Sequence, residues 1–299
     1  MSSRASDAAP RCRICGSAGD LRLTTTDRNR SIGAERFDYR SCRACGTLYL
    51  AEVPADLARY YPPDYYPIGA EHETNESERA KVALLQRFVS GGALLEIGPG
   101  AGGFAAEALR SGFGVRAIEM DERACDHLRA IGAQAVHSAE PHRALAEMAP
   151  ARAIVLWHVF EHLAEPLALL RAAAATLEPG GVLLIAVPNP AAFALRVLGA
   201  RWPHVDAPRH LQLVPAATLV RLAGEVGLAP VALTGSDRAG RDWNVFGWQH
   251  FLAPPTSGAV RRRAAFYAAA LVSLLLAPVE RGGLRGSTYT AVFRNDGGI

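Results

Sequence analysis

The 299-residue sequence has little lysine and little net charge. It contains a single lysine, Lys81, and its 32 basic residues against 29 acidic ones leave a net charge of +3. Proteins that bind nucleic acid usually have a strong basic surplus, so we expect no nucleic-acid partner. Apolar residues make up 49% of the chain and charged residues 20%, which excludes wholesale disorder and allows a sizeable buried core.

Signals for secretion or membrane insertion are also scarce. The first twenty residues contain no apolar stretch like that of a secretory signal, and we expect a cytoplasmic protein. One run, Ala264–Val279, has sixteen residues without a charge, whereas a membrane span needs about 20 apolar residues. Two interpretations stay open: a helix buried against the sheet or in a homodimer interface, or a peripheral contact through residues 261–281. In the second, Arg261–Arg263 would lie on anionic headgroups at the inner face of the membrane.

Cysteine is rare, and four of the five cysteines form two C-x-x-C pairs. Cys12 and Cys15 form the first pair, Cys42 and Cys45 form the second, and a glycine follows each pair. Two such turns aim four thiolates at one ion, and four sulfur ligands favour tetrahedral zinc. Because no position stays open for a catalytic water, the spacing indicates a structural zinc ribbon rather than a redox or catalytic metal. Cys125 stands alone and is expected to be a core thiol.

From residue 93 onward, short apolar runs alternate with segments of helical periodicity. This alternation is typical of an α/β protein with a doubly wound, mostly parallel sheet and right-handed crossovers. The predicted strands are residues 93–97, 115–120, 134–137, 151–159, 182–187, 228–235 and 287–295. The predicted helices are residues 81–89, 102–112, 122–131, 166–181 and 215–227.

Three regions follow from this pattern. We expect a zinc ribbon at residues 1–50, a linker rich in tyrosine and proline at 51–80, and the α/β domain at 81–299. Residues 188–214 and 236–286 interrupt the alternation. Because insertions after the carboxyl ends of strands often build ligand pockets, we expect both to form substrate or cap regions.

The densest motif, LLEIGPGAGG, follows the first predicted strand and opens a helix. Gly98, Gly100 and Gly103 satisfy the G-x-G-x-x-G fingerprint of dinucleotide-binding folds, and Glu119 lies about twenty residues further on. The longer pattern E-x-G-x-G-x-G begins at Glu96, where a carboxylate suits a sulfonium and an ammonium better than a pyrophosphate. The motif therefore favours S-adenosylmethionine (SAM) over a nicotinamide or flavin dinucleotide, although Glu119 would serve the ribose of either.

Five sequence blocks carry a resemblance to a known family: LLEIGPGAGGF, AIEMD, LWHVFEHLAEP, LEPGG and VPN. The chain resembles the class I SAM-dependent methyltransferases, and more narrowly the bacterial members with an N-terminal C-x-x-C zinc ribbon. The ubiquinone-pathway O-methyltransferases share the core blocks. The resemblance implies a Rossmann-like sheet of seven strands in the order 3-2-1-4-5-7-6, with strand 7 antiparallel.

The resemblance also implies a cofactor site. Glu119 would accept hydrogen bonds from the ribose hydroxyls. The family often has an acid after the third strand for the adenine amino group, but Ser138 and Ala139 stand there in this chain and Glu140 is the nearest acid. The residues expected to bind the cofactor are Glu96, Gly98, Gly100, Gly102, Glu119, Met120, Glu140, Trp157 and His158.

The block His158-Val-Phe-Glu161-His162 matches H-x-x-E-H, an inverted zinc-protease motif. That motif needs both histidines on one helical face, and His158 instead ends a predicted strand. In the methyltransferase interpretation the block lies beside the transferable methyl group. A neutral imidazole can take the proton of a hydroxyl, so His162 or His158 is a candidate general base, with Glu161 fixing its tautomer. The alternative is that these residues only shape the cofactor pocket.

The two insertions offer further candidates. His210 is a second candidate base, and Arg209 beside it would hold an anionic substrate group or form a surface salt bridge. Trp243, Phe246 and Trp248 would line a hydrophobic acceptor pocket or only pack.

The sequence leaves three hypotheses about function. The favoured one is a SAM-dependent methyltransferase acting on a small molecule, with a hydroxyl oxygen of a sugar, polyketide-like or isoprenoid compound as acceptor. Methyl transfer needs mainly alignment and a dry site, so the sequence leaves the acceptor and the choice among O-, N- and C-methylation open. The alternatives are a non-catalytic module that recruits a partner through the ribbon, and an NAD-dependent oxidoreductase.

Overall fold

The computed structural model describes residues 10–63, 65, 68, 76–235 and 237–297. Part of the predicted linker therefore lies outside the described residues. The strands are β1 (Gly19–Thr25), β2 (Phe37–Cys42), β3 (Leu48–Leu50), β4 (Gly92–Ile97), β5 (Phe113–Glu119), β6 (Gln134–His137), β7 (Ala151–Trp157), β8 (Leu177–Pro188), β9 (Gln212–Leu213), β10 (Leu228–Thr234) and β11 (Thr288–Asn295). The helices are α1 (Glu76–Gln86), α2 (Gly103–Arg110), α3 (Glu122–Ala130), α4 (Pro141–Ala146), α5 (Pro166–Thr176), α6 (Phe193–Leu198), α7 (Ala216–Glu225), α8 (Arg238–Leu252) and α9 (Ala259–Arg281).

The larger sheet has seven strands in the order β10-β11-β8-β7-β4-β5-β6. If β4 is counted as the first strand, this order is 3-2-1-4-5-7-6 when it is followed from the β6 edge. The seventh strand, β11, runs antiparallel to both of its neighbours. The predicted fold class is confirmed. β7 and the second half of β8 are almost entirely buried because helices cover both faces of a parallel sheet, and they read as continuous apolar runs for that reason.

One predicted boundary is wrong. The sequence pattern carried a helix to residue 181, but α5 ends at Thr176 and β8 already begins at Leu177. Leu177 has an extended backbone, with ψ at 135°. Glu178 precedes Pro179, and a residue before proline is disfavoured in the helical region. The helix therefore ends three residues before Pro179, and not at the proline itself.

A second, antiparallel sheet has the order β1-β2-β3-β9. Its first three strands come from the cysteine-rich N-terminal region, and β9 comes from the predicted insertion at 188–214. The Leu50 amide donates to the carbonyl of Leu211 at 3.0 Å, and the Tyr39 hydroxyl donates to the carbonyl of His210 at 2.8 Å. The insertion thus covers the edge of β3, which an isolated ribbon would leave unpaired.

The predicted insertion at 236–286 forms the two helices α8 and α9. Trp248 in α8 donates to Glu280 in α9 at 3.0 Å, and Gln249 donates to the carbonyl of Arg262 at 3.3 Å. Both halves of α9 therefore touch α8. The opposite face of α9 is exposed, which leaves the two interpretations of the apolar run to be weighed below.

Candidate active site

The glycine motif forms a tight loop between β4 and α2. Gly98 has φ at +65°, and a Cβ added there would lie 2.7 Å from Cγ2 of Val159. An L-residue is strained at that angle and would also collide with the chain leaving β7. The Gly98 amide donates to the carbonyl of Ile118 at 2.9 Å, which ties the loop to β5. The loop backbone is thus fixed where the carboxyl ends of β4, β5 and β7 meet.

Glu119, at the end of β5, is buried and braces the same loop. One carboxylate oxygen accepts from the Gly100 amide at 2.9 Å. The other accepts from the amides of Met120 at 2.7 Å and Asp121 at 3.0 Å. A carboxylate has about four acceptor positions, so one position remains for a ligand. The sequence pattern had suggested only a ribose acceptor and not this bracing role.

Glu96 is buried at the end of β4 beneath the loop. Its Oε2 atom has no hydrogen-bond partner among the described residues. Burial, together with the neighbouring carboxylates of Glu78 and Glu119, raises the pKa of Glu96 to about 8, although Lys81 opposes the shift. A buried carboxyl group that lacks a partner is suited to receive a cation.

Two cavities open on this end of the sheet. The larger has a volume of about 730 Å³ and the smaller about 380 Å³. Gly98, His158 and His162 line both, so the cavities adjoin at the end of β7. Among the residues expected from the sequence, the larger cavity contacts Glu96, Gly98, Gly100, Gly102, Trp157, His158, Glu161, His162 and His210. The smaller cavity contacts Gly98, Glu119, Met120, Glu140, His158 and His162.

The H-x-x-E-H block is not helical at its start. His158 directly follows β7, has φ at +58°, and donates its amide to the carbonyl of Ala186 at 2.9 Å. Phe160–His162 then forms one turn of 3-10 helix. The side chain of Gln212 donates to the carbonyl of Phe160 at 3.0 Å, so the insertion holds this turn in place. The helical spacing that an inverted zinc-protease motif requires is absent from these residues.

Glu161 lies in a group of histidines. Its carboxylate is 1% exposed, and neither oxygen accepts a hydrogen bond from any described residue. Oε1 lies 3.5 Å from Nδ1 of His158 and 3.9 Å from Nε2 of His210. The rings of His162 and His210 have centroids 4.5 Å apart and are nearly perpendicular. The structure thus brings together all four side chains that the sequence proposed for proton transfer.

Backbone carbonyls orient two of these rings. Nδ1 of His162 lies 3.1 Å from the carbonyl oxygen of Arg209 and 3.0 Å from the Tyr61 hydroxyl. Nδ1 of His210 lies 2.9 Å from the carbonyl oxygen of His204. A carbonyl only accepts, so each Nδ1 carries the hydrogen and each Nε2 keeps its lone pair. Burial lowers the pKa of His162 and of His210, which keeps both rings neutral.

Arg209 has neither of the roles that the sequence suggested. Its side chain is 1% exposed and forms ion pairs with Asp27 and Asp206, each at 2.6 Å. It also donates to the carbonyl of Tyr60 at 3.2 Å. All three guanidinium nitrogens are engaged, so the group ties the N-terminal region to the insertion. An anionic substrate group would have to displace these carboxylates.

Residues outside the glycine and H-x-x-E-H motifs also line the larger cavity, and two of the three aromatic residues that the sequence offered for an acceptor pocket are among them. Trp243 and Phe246 of α8 line it, whereas Trp248 packs against α9. Asn29 and Arg30 reach it from the connection between β1 and β2. No local pattern marks these two residues, because long-range contacts bring them to the cavity, among them the hydrogen bond from Asn29 to the carbonyl of Pro203 at 2.9 Å.

The four N-terminal cysteines converge at one point. The distances between sulfur atoms are 3.7 Å for Cys12 and Cys45, 3.4 Å for Cys15 and Cys42, and 3.5 Å for Cys15 and Cys45. Tetrahedral zinc with Zn–S bonds of about 2.3 Å places its sulfurs nearly 4 Å apart. The donor set and its spacing therefore fit zinc. Cys125 lies apart and is buried.

A family model described as a methyltransferase domain matches residues 70–233. That is more than half of the chain, and the chain belongs to this family. The buried carboxyl of Glu96, the glycine loop and the paired cavities fit the SAM cofactor that this family implies. The predicted family is thus confirmed.

Curated relatives match part of the chain. The ubiquinone biosynthesis O-methyltransferase of Caulobacter vibrioides is 32% identical over 162 residues, which are 48% of this chain and 64% of that protein. The enzyme of the same name from Xanthomonas campestris pv. campestris is 36% identical over 132 residues, which are 41% of this chain and 53% of that protein. The chain therefore matches between about half and two thirds of the length of these relatives.

Solved structures share the fold. A SAM-dependent methyltransferase from Archaeoglobus fulgidus superposes with a TM-score of 0.50 at 17% identity, over 74% of this chain and 95% of that chain. Phosphoethanolamine N-methyltransferase 2 of Haemonchus contortus, solved with SAM, gives a TM-score of 0.50 at 13% identity over 73% and 52% of the two chains. At these identities the likeness concerns the fold alone.

Proposed function

We propose that the protein transfers the methyl group of SAM to a hydroxyl oxygen of a small molecule. The observation that carries the proposal is the pair of adjoining cavities, which share Gly98, His158 and His162. The smaller cavity would take the adenosyl group, and the larger cavity would take the acceptor. The reacting atoms would meet at the end of β7, beside the histidines.

The glycine loop and three carboxylates would hold the cofactor. Glu96 would face its cationic end from below, and the loop amides would contact its carboxylate. Glu119 would accept from one ribose hydroxyl at its remaining acceptor position in the smaller cavity, next to Met120. Glu140 lines the same cavity and pairs through one oxygen with Arg143 at 3.0 Å, so its other oxygen would accept from the adenine amino group.

The acceptor's proton would pass to His158. When bound, SAM supplies a methyl group on a positively charged sulfur. His158 lines both cavities, and its Nδ1 lies 3.5 Å from Oε1 of Glu161. Burial lowers the pKa of His158 to about 3, which keeps the ring neutral, and with the hydrogen on Nδ1 the proton acceptor would be Nε2. This nitrogen would take the proton of the acceptor's hydroxyl group while the oxygen takes the methyl group that SAM supplies, with S-adenosylhomocysteine as the leaving group. His162 and His210 would position Glu161 and the acceptor.

Aromatic and cationic side chains both line the acceptor cavity. Trp243 and Phe246 contribute aromatic surface, and Arg30 and Lys81 contribute positive charge. A compound with an apolar ring or chain and a polar end would match this lining, as would a sugar, polyketide-like or isoprenoid hydroxyl compound. The names of the curated relatives support oxygen as the methylated atom.

Calorimetric titration with S-adenosylhomocysteine tests the cofactor. We expect micromolar binding, about −8 kcal/mol, that Glu119→Ala weakens by at least tenfold, and no binding of NAD. Methyl transfer from labelled SAM to a panel of hydroxyl compounds then tests the reaction, with His158→Asn expected to lower the rate by about 10² or more. A flat trace from folded protein would overturn the proposal and favour a binding module, and NAD binding would favour an oxidoreductase.

We propose further that the four cysteines hold a structural zinc ion. Four thiolates complete the coordination shell, so the ion would stabilise the ribbon and take no part in the reaction. Metal analysis of protein purified without chelators should find zinc that Cys15→Ser removes. Wild-type protein without bound metal would contradict this assignment.

We propose a cytoplasmic protein that contacts the membrane through α9. By length and composition α9 is long and apolar enough to cross a bilayer, but its packing on α8, with hydrogen bonds in both halves of the helix, favours lying on the surface. Its outer face exposes Tyr267, Leu271, Leu274 and Leu275, each between 57% and 70%. Arg261–Arg263 precede this face in the first turns, which suits an anionic lipid surface.

Vesicle flotation tests this contact. We expect binding to vesicles that contain phosphatidylglycerol, weaker binding to phosphatidylcholine alone, and loss of binding in Leu274→Glu. Val197→Glu is the matched control, because Val197 is 56% exposed on α6. A protein that ignores vesicles but forms a dimer that Leu274→Glu dissociates would overturn the proposal in favour of a homodimer interface.

A further inference from the structure

We propose that Glu161, His162 and His210 form a second metal site, which binds a divalent transition-metal ion, zinc foremost, inside the acceptor cavity. One donor atom from each of the three side chains lies within 4.8 Å of the other two. The site is distinct from the four-cysteine cluster. The inference rests on the proposed function only for the role of the ion and not for its binding.

The carboxylate of Glu161 is the first argument. Both of its oxygens are buried without a hydrogen-bond partner in the described part of the chain. An ionised carboxylate in such a place is very unfavourable unless it is paired or bound to metal. The arginine nearest in sequence to His210, Arg209, is already engaged by Asp27 and Asp206. A divalent cation would supply the missing charge.

The histidines are the second argument. Metal-binding histidines usually donate their other ring nitrogen to a carbonyl or a carboxylate, which fixes the tautomer and the ring orientation. His162 and His210 both place Nδ1 against a backbone carbonyl oxygen. Their Nε2 lone pairs are thereby available before any ion arrives.

The donor count is the third argument. Two imidazoles and one carboxylate suit zinc, iron, cobalt or manganese, and three protein ligands leave open positions on the ion. Donor atoms around a bound ion lie roughly 3 Å apart, as bond lengths of about 2.0–2.2 Å require. The donor atoms of the three side chains would therefore move closer to one another by an ångström or more when the ion binds. All three line the 730 Å³ cavity, so the open positions would face the acceptor.

An ion at this site would bind the acceptor's hydroxyl oxygen. Coordination lowers the pKa of a bound hydroxyl group, so the proton would leave for Nε2 of His158 more readily. It would also orient the oxygen toward the methyl group. The site would thus select acceptors with an oxygen that can reach the ion, and catechol-like pairs of oxygens would bind best.

Metal titration without cofactor or acceptor tests the proposal. Protein with a zinc-loaded ribbon is titrated with Co²⁺, and bound cobalt and zinc are counted by mass spectrometry after gel filtration. We expect one equivalent of cobalt with a visible spectrum of nitrogen and oxygen ligation, free of the thiolate charge-transfer band. Glu161→Gln and His210→Ala should each lose this equivalent, while the ribbon zinc stays.

The surface pair of His137 and Glu122 provides the matched control. Its atoms lie 2.7 Å apart on exposed side chains, and His137→Ala or Glu122→Gln should leave cobalt binding unchanged. Far-ultraviolet circular dichroism confirms that each variant is folded, and Glu161→Gln preserves the shape of its side chain. No cobalt and no zinc beyond the single ribbon ion in wild type, or a second metal ion that persists in both cavity variants, overturns the proposal. Loss of S-adenosylhomocysteine binding with cobalt binding intact would count only against the proposed function.

Discussion

At the scale of single residues, Glu96 makes cofactor binding depend on pH. Burial and the neighbouring Glu78 and Glu119 raise its pKa to about 8, so it is largely protonated at neutral pH. Bound SAM places positive charge nearby, which favours the carboxylate and lowers the pKa in the complex. Binding therefore releases a proton. We expect SAM affinity to rise by up to about tenfold per pH unit between pH 6 and 8 and then to level off.

Calorimetry in two buffers with different ionisation heats measures that proton directly. Glu96→Gln is the control, because it keeps the shape of the side chain and removes the titration. Its SAM affinity should be nearly constant over the same pH range. A wild-type affinity that does not change with pH, or a slope that Glu96→Gln retains, would contradict this account.

Two glycines allow backbone strain to be separated from collision. Gly98 and Gly112 both have positive φ, +65° and +86°, but a Cβ at Gly112 would meet no atom of the described residues within 4 Å. Substitution with alanine should cost about 1–2 kcal/mol of unfolding free energy at either position, because of the left-handed backbone. At Gly98 the collision with Val159 adds to this cost and moves the loop.

We therefore expect Gly98→Ala to weaken S-adenosylhomocysteine binding by at least tenfold, and Gly112→Ala to leave the binding unchanged. Denaturant unfolding and calorimetry on the two variants give both quantities. Equal binding losses would show that the loop responds to general destabilisation and not to the contact between Gly98 and Val159.

At the scale of elements, the buried ion cluster of Arg209 joins the N-terminal region to the insertion. Removing a buried cation leaves Asp27 and Asp206 uncompensated, which typically costs about 3–5 kcal/mol. Arg209→Met should lower the unfolding free energy by this amount in denaturant titrations. Arg43→Met is the control, since Arg43 and Asp20 form an exposed ion pair, and it should have little effect. Similar losses in both variants would refute a structural role for the cluster.

At this scale, local sequence patterns predicted the individual strands but not the pairing between strands that are distant in the chain. Apolar runs and the glycine motif predicted all seven strands of the larger sheet, because each strand carries its own periodicity and turn signals. The pairing of β3 with β9 joins residues more than 160 positions apart, and no local pattern encodes it. Arg209 was misjudged for the same reason, because its partner Asp27 is remote in the chain.

At the scale of the whole molecule, the shared antiparallel sheet decides how far the site was predictable. The motifs predicted the residues on the ends of β4, β5 and β7, because these follow from the family pattern. Trp243 and Phe246, which the sequence offered as acceptor-pocket residues, line the cavity, whereas Asn29 and Arg30 reach it through the packing of the N-terminal region on the insertions. The division of the chain into a ribbon, a linker and an α/β domain at residues 50 and 81 stays a prediction. The lining of the acceptor cavity includes residues from both the ribbon and the α/β domain.

This arrangement predicts how the loss of ribbon zinc spreads through the molecule. Cys15 is exposed, so Cys15→Ser removes one thiolate with little change in packing. Hydrogen exchange followed by mass spectrometry should then show lost protection in β1, β2 and β3, and also in β9, because β9 pairs with β3. β4, β7 and β8 should keep their protection, and S-adenosylhomocysteine affinity should change by less than about threefold, because the glycine loop belongs to the other sheet.

Cys125→Ser is the control, because Cys125 is a buried thiol outside the cluster. This variant should leave the exchange of β1, β2, β3 and β9 unchanged. Unchanged protection in β9 would mean that the ribbon is an independent unit, and equal loss in both sheets would mean that zinc supports the whole fold.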